Sequence, residues 1–171
     1  MVSTKEALSF IKSAKKGKLI IFCVGNEMRG DDGIGLVIYK RLREKIPKDI
    51  LLYDVGSSLE NYLSVIAKNQ ATHCLIIDAV DFGQKEIIPG TIGFFKPSDL
   101  QKNQTMFTTH YIPMNVFLDY LKKDSEVKIR ILGIQPKTIE FGTEMSTEVH
   151  TAIDKIMNFL IPLLQEGSTK N

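Results

Sequence analysis

Tryptophan is absent from this chain, cysteine occurs only twice and histidine only three times. Two cysteines make no disulfide framework. Cys23 and Cys74 both fall inside apolar, strand-like runs, so buried free thiols in a reducing cytoplasm are expected. Their spacing is not that of a metal-binding motif. No apolar run approaches membrane-spanning length, and no secretory leader precedes the first helical pattern, so no membrane insertion is expected. The net charge of +2 is too small to imply a nucleic-acid partner, and the basic residues are scattered. Their densest group, Lys15-Lys16-Gly17-Lys18, reads as a helix end. Repeats, linkers and low-complexity segments are missing. The 171 residues therefore read as a single domain with enough core to fold unaided.

Two nucleotide-binding patterns are missing as well. The glycine-rich stretch Gly25-Asn26-Glu27-Met28-Arg29-Gly30-Asp31-Asp32-Gly33-Ile34-Gly35 follows the apolar run Leu19–Val24 and precedes a helical pattern over 36–45. That is strand, turn and helix, the start of an α/β domain. It contains neither the GxGxxG order nor a Gly-Lys-Ser/Thr. A phosphate here would meet Asp31 and Asp32 in place of bare N–H donors. The pair suits a cation or proton chemistry, or else one acid simply caps the helix. The stretch alone leaves both readings open.

The remaining pattern alternates strands and helices. Ser3 and Glu6 form a capping box for a first helix with an apolar face of Ala7, Phe10, Ile11 and Ala14, expected to pack beside the domain without carrying chemistry. In the helix after the glycine-rich turn, Leu36, Val37, Tyr39 and Leu42 supply the apolar contacts. Residues 50–55 form a second strand. Ser57 and Glu60 suggest another capping box, before an amphipathic helix with Leu59, Tyr62, Leu63, Ile66 and Ala67. Cys74–Ile77 reads as a central strand covered on both faces, running into Asp78-Ala79-Val80-Asp81. The stretch 81–90 is too short for a crossover helix, so the strand over 91–95 is expected to run antiparallel. Residues 96–109 read as a polar, mostly irregular loop of the kind that often carries function. A helix begins near Pro113, with Met114, Phe117, Leu118 and Leu121 buried, followed by a last strand over 127–134. Ser146 caps a final helix with Val149, Ile153, Ile156 and Leu160 on one face. Pro162 is expected to end or kink it, and residues 167–171 to fray. The result is a three-layer α/β/α sandwich around a twisted, mostly parallel five-stranded sheet with one antiparallel strand.

Three polar residues stand at element ends: Asp32 after the first strand, Asp78 after the third, and His110 before a helix. Ligands of open α/β sheets gather at the carboxyl edge. Two carboxylates and one imidazole can bind Zn²⁺ or Ni²⁺ and leave coordination positions open, as catalytic sites do. Asp31 is assigned to turn or cap formation. His73 and His150 read as structural or solvated. Glu27 and Arg29 suit an exposed pair worth little to stability. Nothing resembles a nucleophile elbow, and a cysteine protease does not fit buried thiols.

Taken in order, Gly25-Asn26, Asp31-Asp32-Gly33-Ile34-Gly35, Asp78-Ala79-Val80, Pro89-Gly90-Thr91, Thr109-His110 and Gly133-Ile134-Gln135-Pro136 resemble the hydrogenase maturation endopeptidases. The likeness is nearest to the branch serving the hydrogenase-3 or formate-hydrogenlyase type enzyme, and covers residues 18–164. Met28 stands where leucine is commoner, and the first helix lies beyond the usual family start. The resemblance implies a metal-dependent endopeptidase of the cytoplasm. It implies removal of the C-terminal extension of the [NiFe]-hydrogenase large-subunit precursor once nickel is inserted. Asp32, Asp78 and His110 would engage that nickel, or a divalent metal such as zinc close by. The rival from another class is a non-catalytic metal- or small-ligand-binding module of metallochaperone type. Cleavage of nickel-loaded precursor separates the two.

Overall fold

A computed structural model describes residues 4–83, 86–102, 107–108 and 127–166. The helices are α1 (Thr4–Ala14), α2 (Ile34–Leu42), α3 (Leu63–Lys68), α4 (Pro97–Lys102) and α5 (Thr147–Gln165). The strands are β1 (Leu19–Val24), β2 (Leu51–Gly56), β3 (His73–Asp81), β4 (Ile92–Phe95), β5 (Phe107–Thr108) and β6 (Lys128–Ile134). Two 3₁₀ turns, Gly30–Gly33 and Leu59–Tyr62, lead into α2 and α3.

The main sheet has the order β2-β1-β3-β6-β4. All its pairings are parallel except β4 against β6, so the expected single antiparallel strand is β4. Side chains alternate across each strand and sort the core into two layers. Ile21, Cys23, Leu75, Ile77 and Ile134 join α1, α2 and α5 on one face. Ile20, Phe22, Cys74, Ile76 and Ile131 join Leu59, Leu63 and Ile66 on the other. This is the expected three-layer sandwich.

Several local expectations need correction. Strand β3 does not stop before Asp78 but continues to Asp81, because Val80 and Asp81 pair antiparallel with β5 beyond the parallel ladder. Residues 96–109 contain α4 and β5 among the described positions, so they are not mostly irregular. The turn before α3 shows no side-chain cap: its N-cap is Ser58 and makes no capping bond, so the capping box read at Ser57 and Glu60 is not formed. The buried face of α2 is Ile34, Ile38 and Leu42, while Val37 and Tyr39 are only partly buried. Helix α5 runs through Pro162 to Gln165. Pro162 is exposed, as is Asn158 one turn earlier, whose carbonyl loses its helical donor on the wet side where water replaces it. Leu164 anchors the last turn in the core, and Lys15 Nζ donates to the carbonyl of Leu163 at 2.7 Å. Ser3, residues 113–121 and residues 167–171 lie outside the described residues.

Helix α1 belongs to the core and does not merely sit beside it. Ala7, Phe10, Ile11 and Ala14 are all buried. The Phe10 ring meets Phe94 edge-on at 5.8 Å, and the Arg130 guanidinium lies over it at 5.6 Å.

Phe10 also packs on His73, at 5.3 Å between ring centroids. His73 is buried at the start of β3. Its Nε2 lies 3.0 Å from Ser13 Oγ and its Nδ1 2.9 Å from Thr72 Oγ1, so a neutral ring is satisfied on both sides by hydroxyls. Burial, then the nearby cations Lys128 and Arg130, hold its pKa below the ordinary 6.5. The folded protein therefore binds fewer protons at this site than the unfolded chain. Stability is fully present above about 6.5, the unfolded value, and is lost as pH falls from there through the lower folded value. Melting temperature in wild type should drop on acidification below about pH 6.5. In His73→Gln that part of the pH dependence should vanish; an identical acid slope in the variant would remove His73 as its source.

Candidate functional site

The turn after β1 is folded by its own backbone. Gly25 N donates to Gly56 O at 2.9 Å, Asn26 N to Asp32 O at 3.0 Å, and Asp32 N to Arg29 O at 3.1 Å. Asn26 Oδ1 accepts from Met28 N at 3.0 Å, an Asx turn that bends the chain. Gly30 takes φ +55°, which disfavours a side chain. Gly35 lies against the Val24 backbone so closely that a Cβ would collide with its carbonyl. Helix α2 is thereby drawn tight onto the end of β1.

The two adjacent acids part company here. Both are buried, Asp31 at 0% and Asp32 at 2% exposure. Neither the 3₁₀ turn nor α2 has a side-chain cap bond, so the capping reading fails for both. Asp31 holds a distant loop instead. Its Oδ2 accepts from Lys137 N at 2.7 Å, Thr138 N at 3.3 Å and Ser146 Oγ at 2.9 Å, and its Oδ1 from Ser146 N at 2.6 Å. Because the Ser146 hydroxyl gives its proton to Asp31, its lone pair is free to cap α5, accepting from Val149 N at 3.4 Å. The expected N-cap at Ser146 is thus present, oriented by Asp31.

Asp32 sits in the 3₁₀ turn, which packs against β3. Asp78 lies on β3 at 1% exposure. It is opposite Gly133 of β6 and one residue past Ile77, the last β3 partner of β1. Past that point β1 no longer flanks β3. Asp32 and Asp78 therefore lie in two elements that meet where the parallel ladder of β1 ends. His110, the third predicted site residue, lies outside the described residues. Among the described residues, no three His, Cys, Asp or Glu side chains form a group that could hold a metal.

Other predicted roles are settled by geometry. Cys23 and Cys74 are free and fully buried, and burial pushes both thiols far above their ordinary pKa. Neither is a nucleophile of use at neutral pH. His150 is exposed on α5. Glu27 pairs with Lys40 at 3.2 Å instead of Arg29, and Arg29 Nε donates to Ile139 O at 3.1 Å. Gln135 does more than end a strand. Its Oε1 accepts from Phe82 N at 2.9 Å. Its backbone brackets the Pro89-Gly90-Thr91 turn, with Gly90 N to Gln135 O at 2.8 Å and Gln135 N to Thr91 O at 2.9 Å. It ties the exit of β3, just beyond Asp78, to the exit of β6. The Gln-Pro step at a strand end was the only local signal of this role.

The chain is similar to known proteins over most of its length. The family described as hydrogenase maturation protease (HycI) matches residues 36–163. The hydrogenase 3 maturation protease of Escherichia coli K12 is 34% identical over 137 residues, 80% of this chain and 85% of that protein. A solution structure of an endopeptidase HycI from Escherichia coli is similar at TM-score 0.67 and 30% identity, over 82% of this chain and 87% of the other. A crystal structure of a [NiFe] hydrogenase maturation protease HycI from Thermococcus kodakarensis covers 93% of this chain and 98% of its own. Its TM-score is 0.80 at 22% identity, which supports the shared fold.

Proposed function

The chain belongs to the hydrogenase maturation protease family, and from that premise we propose that it cleaves the C-terminal extension from a [NiFe]-hydrogenase large-subunit precursor in the cytoplasm. Cleavage follows nickel insertion, and the nickel is part of the substrate. Asp32, Asp78 and His110 are the residues that meet it. The observation that carries this reading is the burial of two carboxylates, Asp32 and Asp78, in neighbouring elements at the carboxyl end of the sheet. A cation that arrives between two carboxylates is favoured by both.

The donor chemistry fits a divalent metal: two carboxylate oxygens and one imidazole leave coordination positions for ligands from the precursor. Bound nickel supplies a fixed positive charge beside the scissile peptide. The enzyme's own part is to present the carboxylates without competing water. One of them is suited to accept a proton from the attacking water, acting as general base. The buried thiols are poor nucleophiles and the sequence has no Gly-x-Ser-x-Gly elbow, which favours attack by water over a cysteine or serine route.

The direct test incubates the protein with precursor prepared with and without nickel and weighs both products by mass spectrometry. Loss of a C-terminal segment from the nickel-loaded form alone is expected. A loaded precursor that binds but stays intact would make the protein a binding module. Equal cutting of both forms would remove nickel from recognition.

A further inference from the structure

Among the described residues, three large apolar side chains are strongly exposed: Met28 at 54%, Ile88 at 73% and Phe141 at 73%. All three lie on segments that leave the carboxyl ends of strands, Met28 after β1, Ile88 after β3 and Phe141 after β6. This is the edge that carries Asp32 and Asp78. Scattered exposed apolar residues need no explanation, but their collection at one edge marks a contact surface.

The segments are held in place. Gly142 N donates to Met28 O at 2.8 Å, which sets Phe141 beside Met28. Arg29 Nε binds Ile139 O, and Asp31 fixes Lys137, Thr138 and Ser146. Ile88 O accepts from Thr91 Oγ1 at 2.7 Å. A groove of about 720 Å³ opens beside Ile88, between the Pro89-Gly90-Thr91 turn and the first turns of α5. Of the charges nearby, Lys40 pairs with Glu27 at 3.2 Å and Lys137 with Glu148 at 2.7 Å. Among the described residues of these segments, Glu27, Glu140, Glu144 and Glu148 balance Arg29, Lys40, Lys137 and Lys155, which leaves no excess of positive charge to hold a membrane surface or a nucleic acid. What this edge offers is preordered apolar contact with a polar rim, the make-up of a protein–protein interface.

We infer that Met28, Phe141 and Ile88 dock the large-subunit precursor, covering an apolar patch beside its processed end. The inference rests on the processing function proposed above and deepens it. Met28 shares a turn with Asp32, and Ile88 follows the strand of Asp78, so a partner seated on these anchors is delivered to the two acids. The anchors bind the folded precursor and take no part in the reaction. Their loss raises KM and leaves kcat unchanged.

The test is the double variant Met28→Ser/Phe141→Ser, with Ile88→Ser as a second variant. Both place polar groups on exposed sites and should melt as wild type does. Kd for nickel-loaded precursor and KM for processing are each expected to rise about tenfold or more in the double variant, with kcat unchanged. Wild-type Kd and KM in both variants, while wild type processes the precursor, would overturn the docking surface and leave the proposed function standing. A wild-type protein that neither binds nor processes loaded precursor would overturn the proposed function, and the docking surface with it. Unchanged precursor binding with a shift from dimer to monomer in analytical ultracentrifugation would assign the patch to self-association and overturn the inference.

Discussion

Asp31→Ala is expected to lower stability by about 4 kcal/mol, a fall of roughly 10 °C in melting temperature for a domain of this size. The carboxylate is fully buried and accepts four hydrogen bonds, three from backbone N–H groups. Bonds to a charged acceptor contribute more than neutral ones, and removing the acceptor strands the donors. The loss spreads further. Without Asp31 the Ser146 hydroxyl is no longer oriented, so the cap of α5 weakens. The Ser146→Ala change alone should cost about 1 kcal/mol. Because Ser146 is a partner of Asp31, the two losses should not add in the double variant. Asp31→Asn keeps one acceptor oxygen and should lie between, near 2 kcal/mol. Thermal melting of the four proteins measures all of this. Additive losses, or an Asp31→Ala protein that melts within about 2 °C of wild type, would refute the clamp.

What the sequence reveals about this fold depends on how local the cause is. The apolar run Leu19–Val24 matches β1 residue for residue, since continuous burial on both faces needs no partner to be recognised. The buried faces of α1 and α5 are legible from 3.6-residue spacing alone. The direction of β4 followed from a connection too short for a crossover helix. Three of the misread features have distant causes. The three residues holding Asp31 lie more than 100 residues further along the chain, and nothing within the Asp-Asp pair distinguishes the clamp from its neighbour. In α2, helical spacing allows several apolar stripes. Packing against β1, β2 and α5 selects Ile34, Ile38 and Leu42. Strand β3 extends through Asp81 only because β5 pairs with it. Of the site, the edge position of Asp32 and Asp78 was legible because acids at strand ends stand out against apolar runs. His110 lies outside the described residues, so its place beside them stays a proposal.

Asp78→Asn should abolish processing and leave the fold intact. The side chain is 1% exposed, on a strand paired to β6 on both sides of this position. Asparagine is nearly isosteric, so cavity and overpacking costs are small. What changes is the charge. A carboxylate can attract a cation and accept a proton from water, and an amide does neither. Processing of nickel-loaded precursor should therefore fall by at least about a hundredfold, the lower end of what a general base contributes. Melting temperature should stay within a few degrees of wild type. Asp54 provides the control. It lies on β2 of the same sheet, in register with Cys23 of β1, and its Oδ1 accepts from Gly56 N at 3.1 Å. If negative charge anywhere along this edge were enough, Asp54→Asn would impair processing as severely. The expected result is near-normal processing by Asp54→Asn and none by Asp78→Asn. A folded Asp78→Asn protein that trims the precursor at the wild-type rate would remove Asp78 from the reaction.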